Sequence, residues 1–186
     1  SGRIHFWLSG SLWIGQGQGR SEWHEHHAHQ LALALDGELR FRGDRSGDWT
    51  VFEAAVVPSH CPHQFEIDGA SVAHLFVEPE SSEGRMLSSR FGAPAIAALP
   101  QPAARQSADR LLAALRGNAD AHAMTAIARA AVAQLAGTSE AASAARTIDA
   151  RITRALDHIR SRVRAPVSFV FSSSGAPLDL RRFRHL

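Results

Sequence analysis

Apolar and polar positions change rhythm once along this chain, close to Pro79. Before it, short apolar runs alternate with turn signals: Ile4 to Leu8, Leu12 to Ile14, Leu31 to Leu35, Glu38 to Arg42, Trp49 to Val57, Phe65 to Ile67 and Val72 to Val77. Asp36-Gly37 between the third and fourth runs is a hairpin signal. In Glu38-Leu39-Arg40-Phe41-Arg42 the alternation puts Leu39 and Phe41 inward and the charges outward. Pro58 and Pro62 break the run that starts at Trp49, and Asp68-Gly69 divides the last two. Many short strands punctuated in this way predict an antiparallel sandwich or barrel over residues 3–80.

After Pro79 the apolar spacing becomes helical. Leu111, Leu112 and Leu115 share one face, as do Met124, Ile127, Ala131 and Leu135. Residues 81–136 are therefore expected to be helical. The stripe of Leu111, Leu115, Met124, Ile127 and Leu135 is more apolar than one small barrel should need to cover, which predicts a homodimer. Residues 137–146 are small and polar and read as a linker. Ile148, Ile152, Leu156, Ile159 and Val163 form a further stripe, which Pro166 ends.

Composition changes this picture little. The chain has 186 residues, no run long and apolar enough for a membrane span, and a single cysteine, Cys61, which precludes an internal disulfide and fits the reducing cytoplasm. The pI near 9.8 follows from a chain whose cations are all Arg, with no Lys or Tyr to titrate. Charge placement says more. From Arg151 to Leu186 eight Arg face only Asp157 and Asp179. That is where an attached nucleic-acid module would show itself, although a solvated Arg-rich helix would look the same.

The candidate chemistry is histidine. Eight of the eleven lie before residue 80, most densely in Trp23-His24-Glu25-His26-His27-Ala28-His29-Gln30. On an extended segment His24 and His26 face the same way, and His63 can add a third donor from another strand. Neutral imidazoles suit Zn, Fe, Ni or Cu; a polar ligand pocket or a purely structural cluster would use the same residues. His24-x-His26, Gln30 and Gly37 resemble the first cupin motif, and Pro58-x-His60-x-x-His63 resembles the second. Gln30 stands where metal-binding cupins carry Glu, and His60 where they carry Gly. Carried over by position, the resemblance implies His24, His26, Gln30 and His63 as the site. The neutral Gln30 lowers the expected affinity for a divalent cation.

A wider resemblance runs through residues 3–100. Trp23 to His26, Gln30-Leu31, Leu35 to Phe41, Ala55 to Pro58, Pro62-His63, and Leu75 to Ser81 with Gly84-Arg85 together resemble the sensor half of AraC-type transcription regulators. Asp149 to Arg160, Pro166 to Phe169 and Arg182 to Leu186 resemble the opening of that family's helix-turn-helix domain; Val170 to Pro177, rich in Ser, Gly and Pro, does not. The resemblance implies a mainly β plus α chain. Its parts are a cupin, jelly-roll-like sensor barrel (3–80), a helical dimerisation region (81–136), a linker (137–146) and a partial helix-turn-helix (147–186). A small-molecule effector would meet His24, His26, Gln30 and His63, with Trp23 as an aromatic wall. His24, His26 and His63 are the possible metal ligands, and Arg181, Arg182 and Arg184 the possible DNA contacts. Specific operator binding is expected only through a complete DNA-binding domain. The resemblance implies a cytoplasmic non-enzyme; the alternative is a metal-dependent cupin oxygenase or isomerase.

Overall fold

A computed structural model describes residues 2–137. Its strands are β1 (Gly2–Trp7), β2 (Gly10–Arg20), β3 (His29–Ala34), β4 (Leu39–Arg42), β5 (Thr50–Phe52), β6 (Ala54–Val57), β7 (Gln64–Val77) and β8 (Ala97–Ala98). Its helices are α1 (Ser82–Arg90), α2 (Ala103–Arg116) and α3 (Ala121–Ala136). Every strand pairing is antiparallel, in the order β1-β2-β7-β3-β6-β8, with β4 joining β7 to β5.

The long strand β7 organises the sheet. Its C-terminal half pairs with β3 and its N-terminal half with β4, while β2 runs beside both. The sequence reading ends one strand at Asp68-Gly69 and begins another at Val72. The structure instead carries one strand through, with Gly69 and Ala70 opposite Gly17 as a bulge. Gly69 has φ +71, a left-handed conformation that glycine adopts without a Cβ penalty. A bulge bends and twists its strand while leaving the ladder intact on either side. In the same way, Trp49 to Val57 reads as one run but folds as β5 and β6, which pair with different neighbours. β2 continues through Gln16 to Arg20, a Gly/Gln-rich stretch with no apolar pattern to announce it.

The sheet of β2, β3, β6 and β7 is covered on both faces, and this explains the unbroken Leu31-Ala32-Leu33-Ala34-Leu35. Leu31, Leu33 and Leu35 join Leu12, Ile14, Val56, Leu75 and helix residues in one core. Ala32 and Ala34 join Phe41, Ala55, Val57, Ile67 and Val72 in the other, inside the barrel. Leucines thus fill the space beneath the helices, and alanines leave room for the rings of the interior.

The helices sit on the outer face of the sheet. Leu111, Met124 and Leu135 are fully buried within the single chain, and Ala131 is buried beside them. α2 and α3 pack on each other and on their own sheet, so most of the apolar stripe is covered within one chain. Leu112, Leu115 and Ile127 remain half-exposed. The helical region also holds the short strand β8, which pairs with β6. No helix among the described residues is long and apolar enough to cross a membrane. The expected linker beyond Gly137, the partial helix-turn-helix, and Arg181, Arg182 and Arg184 lie outside the described residues.

Candidate metal centre

The first motif folds as an extended connection rather than a strand. His24 makes a two-way backbone bridge with His63: His24 N–H donates to His63 O (3.1 Å) and His63 N–H to His24 O (2.8 Å). Two residues on, His26 O accepts from His60 N–H at 2.9 Å. His60 takes a positive φ of 56°, unusual for a residue with a side chain, and it turns the loop between β6 and β7 so that this bond can form. The two motifs, far apart in sequence, are thereby stitched side by side. The imidazole centroids of His24 and His63 lie 4.3 Å apart, and those of His26 and His63 5.1 Å.

The tautomers follow from the partners. A carbonyl oxygen can only accept, so each ring nitrogen facing one must carry the proton. His24 Nδ1–H donates to Glu22 O (2.8 Å), His26 Nδ1–H to Ala28 O (2.8 Å) and His63 Nδ1–H to Cys61 O (2.9 Å). In its neutral form each ring therefore carries its lone pair on Nε2. A metal-ligating histidine shows this same outer hydrogen bond, which fixes ring orientation and raises basicity. His63 Nε2 is buried with no hydrogen-bond partner, which costs free energy unless a ligand satisfies it.

One donor nitrogen from each of His24, His26 and His63 lies within 4.8 Å of the other two. Neighbouring nitrogens on one Zn sit about 3.0–3.4 Å apart, given bonds of about 2.0–2.1 Å, so the three nitrogens must draw together to share one ion. Burial, and then the neighbouring imidazoles, push His63 down to about 3. Burial likewise lowers His24. Both rings therefore stay neutral and metal-competent at physiological pH.

Gln30, at the start of β3, carries the position where the sequence pattern departs. Its Oε1 faces His26 Nε2 at 2.9 Å, and its amide nitrogen faces His74 Nδ1 at 2.6 Å. With His26 Nδ1 donating to Ala28 O, the facing of His26 Nε2 and Gln30 Oε1 is satisfied by a second proton on the ring, by a cation, or by the amide turning over. The orphaned His63 Nε2 and the three imidazoles, each with Nδ1 turned to a backbone carbonyl, fit a divalent transition metal. When bound, it would supply Lewis acidity and open coordination positions.

His74 is the residue that sequence reasoning missed. It sits on β7 opposite Ala32 and Trp13 and is buried, with Nε2 unpartnered. Burial and the charges that His26 and His24 would carry push it down to about 3. The available signal was its alternation with Val72 and Phe76 within the run Val72 to Val77.

The remaining expected residues are accounted for individually. Trp23, expected as an aromatic wall, stacks beneath the Arg45 guanidinium at 5.2 Å. The rings against the imidazoles are Phe65 beside His24, Phe76 beside His26 and Phe41 beside His63. His29 has a structural role: its Nδ1 accepts from Ser59 N–H, and its Nε2–H donates to Ser88 on α1. His27 lies outside the barrel, where its Nε2–H donates to Glu80 and its Nδ1 faces His60 Nε2 at 3.0 Å.

No family model matches this chain, and no curated protein matches it. Three of the solved structures similar to it are a protein from Neisseria meningitidis, a cupin-2 domain containing protein from Shewanella frigidimarina and a putative ethanolamine utilization protein from Salmonella typhimurium. The first has 18% identity and a TM-score of 0.37, covering 42% of this chain and 84% of its own. The second has 17% and 0.36, covering 42% and 79%. The third has 14% and 0.33, covering 40% and 61%. Likenesses at this level carry no chemistry across. The β-rich part is an antiparallel sheet in which the two motif segments are brought side by side by the His24–His63 bridge.

Proposed function

We propose that this chain is the effector-sensing part of an AraC-type transcription regulator, and that its sensing centre is the trio His24, His26 and His63, able to hold a divalent transition metal such as Zn, Ni or Fe. The observation that carries the sensing centre is three imidazoles, each with Nδ1 held by a backbone carbonyl, that bring one ring nitrogen apiece within 4.8 Å of one another. The regulator assignment is supported by the family-like segments between Trp23 and Arg85 and by Asp149 to Arg160, Pro166 to Phe169 and Arg182 to Leu186, although Val170 to Pro177 departs from the family. On this reading the protein works in the cytoplasm, and DNA is reached only through a complete C-terminal domain.

The segment bearing His24 and His26 is tied directly to α1. His27 pairs with Glu80, next to Ser81, whose side chain caps α1 by accepting from Gly84 N–H. His29 donates to Ser88 within α1, and Arg90 at the end of α1 donates to Leu135 O of α3. Occupancy of the centre favours one arrangement of this segment only if the ligand binds the two arrangements with different affinity. A change there would pass to α1 and α3 and on to the DNA-binding domains.

The second reading is a metal-dependent cupin enzyme, favoured by the same trio because three protein nitrogens leave coordination positions open for substrate. Metal analysis of the purified protein beside His63→Ala, followed by hydrogen exchange with and without the bound metal, tests the proposal. A sensor should take up about one metal per chain, lose it in the variant, and change exchange in α1 and α3 on loading. Unchanged exchange in the helices, with oxygen consumption by the iron-loaded protein, would favour the enzyme. Absence of metal in both proteins would remove metal from the sensing centre.

A further inference from the structure

We propose that the barrel-side face of β1 and β2 holds the body of the effector: an aromatic ring lies over Ser11 between Phe6 and Phe76, and an oxygen or nitrogen substituent on it reaches the three imidazoles. This rests on reading His24, His26 and His63 as the sensing centre, and it assigns that centre a class of ligand.

Strand register places the residues. Side chains alternate between the two faces of a strand. On β2, Leu12 and Ile14 belong to the core beneath the helices, whereas Trp13 packs on the cluster inside the barrel. Ser11 therefore faces the barrel side with Trp13. Ser11 pairs with Phe6 on β1 and with Phe76 on β7, and Phe76 pairs in turn with Gln30 on β3. Phe6, Ser11, Phe76 and Gln30 thus form one row across four strands, on the face where Gln30 meets His26. At the inner end of the row the Phe76 ring stands edge-on to His26, with centroids 5.3 Å apart.

The row has a small floor between two large walls. Adjacent strands lie about 4.8 Å apart, so Phe6 and Phe76 stand about 10 Å from each other with only a serine between them. A ring midway is about 5 Å from each wall, inside the range of about 4.5–7 Å at which aromatic rings pair favourably. Trp13, the next residue of β2 on this face, lies back over Gly2 and Gly17, where added Cβ atoms would stand 2.9 Å and 3.7 Å from its indole. Phe6 is 68% exposed, the most exposed large apolar side chain among the described residues, and Ser11 and Phe76 are half-buried. A phenyl group held in water costs free energy that a ring laid against it recovers. The chemistry beyond Phe76 is polar, and the buried His63 Nε2 there has no hydrogen-bond partner. No charge stands in the row, so the body it takes is neutral; the head that follows it is a metal-binding group.

The test is calorimetric titration of the zinc-loaded protein with two probes. Benzohydroxamate joins a phenyl ring to a two-oxygen metal-binding head, and acetohydroxamate has the same head without the ring. Benzohydroxamate should bind about tenfold more tightly. Phe6→Ala removes one wall and Ser11→Phe fills the floor; each should abolish most of that advantage while zinc uptake and acetohydroxamate affinity stay as in the native sequence. If the two probes bind the native protein equally, or if the advantage survives Phe6→Ala, the ring site is wrong and the sensing centre stands. If Phe6→Ala splits a native dimer and leaves the probe advantage intact, Phe6 belongs to an interface between copies and the inference falls. If the protein takes up no zinc, the centre and the ring site fall together.

Discussion

Lowering the pH of the metal-free protein from 7.5 to 5 should destabilise it by about 4 kcal/mol, through His63 and His74 alone. Both are held at about 3 in the fold, by burial first and neighbouring imidazoles second, against 6.5 in the unfolded chain. Above 6.5 each is neutral in both states and costs nothing. Between 6.5 and about 3 the unfolded chain binds a proton that the folded chain refuses, so stability falls as the pH falls through this window. At pH 5 the unfolded imidazole is about 1.5 pH units below its midpoint, worth about 2 kcal/mol for each ring at about 1.36 kcal/mol per unit. This figure barely depends on the folded value, provided that value lies well below 5. Burial lowers His24 and His29 as well, which adds to the loss in the same direction. Against a total stability of about 5–15 kcal/mol, 4 kcal/mol is large. Urea unfolding at both pH values with a chelator present measures it. With a slope of about 2 kcal/mol per molar, the midpoint should drop by about 2 M. In His74→Phe the pH-dependent part of the loss should shrink by about half. An equal midpoint at pH 7.5 and pH 5 would refute the burial argument for both rings.

Packing and backbone give further expectations, all readable by chemical denaturation. Leu111→Ala, at a fully buried position between α2 and the sheet, should cost about 2–5 kcal/mol; a cost under about 1 kcal/mol would mean that the helices are loosely docked. Gly84→Ala should destabilise by about 1–3 kcal/mol although alanine favours helix, because a Cβ there would lie 2.0 Å from Glu78 O; a stabilised variant would show that the entry to α1 is not so close-packed. Asp120→Ala should cost about 1 kcal/mol, since its carboxylate accepts from Ala123 N–H at the start of α3; no change would place that cap in solvent exchange.

The sequence by itself determined the change from strands to helices near Pro79, the inward set of Leu39 and Phe41, and the pairing of His24 with His26. Those features are local or follow fixed periods: alternation sorts the faces of β4, and the spacing within each motif sets which imidazoles share a side. The tertiary structure decided what depends on distant partners. Leu31 to Leu35 reads as featureless apolar chain, and only the packing of helices on one face and rings on the other assigns the leucines and alanines their sides. Asp68-Gly69 reads as a turn, yet pairing with β2 and β4 holds it within a strand as a bulge. The pairing of β7 with β3 places His74 beside Gln30, a contact between residues too far apart in sequence for any local pattern to reveal. The same reason explains the helical stripe: its apolar width is visible in the sequence, but whether a partner copy or the protein's own sheet covers it depends on where the chain folds back.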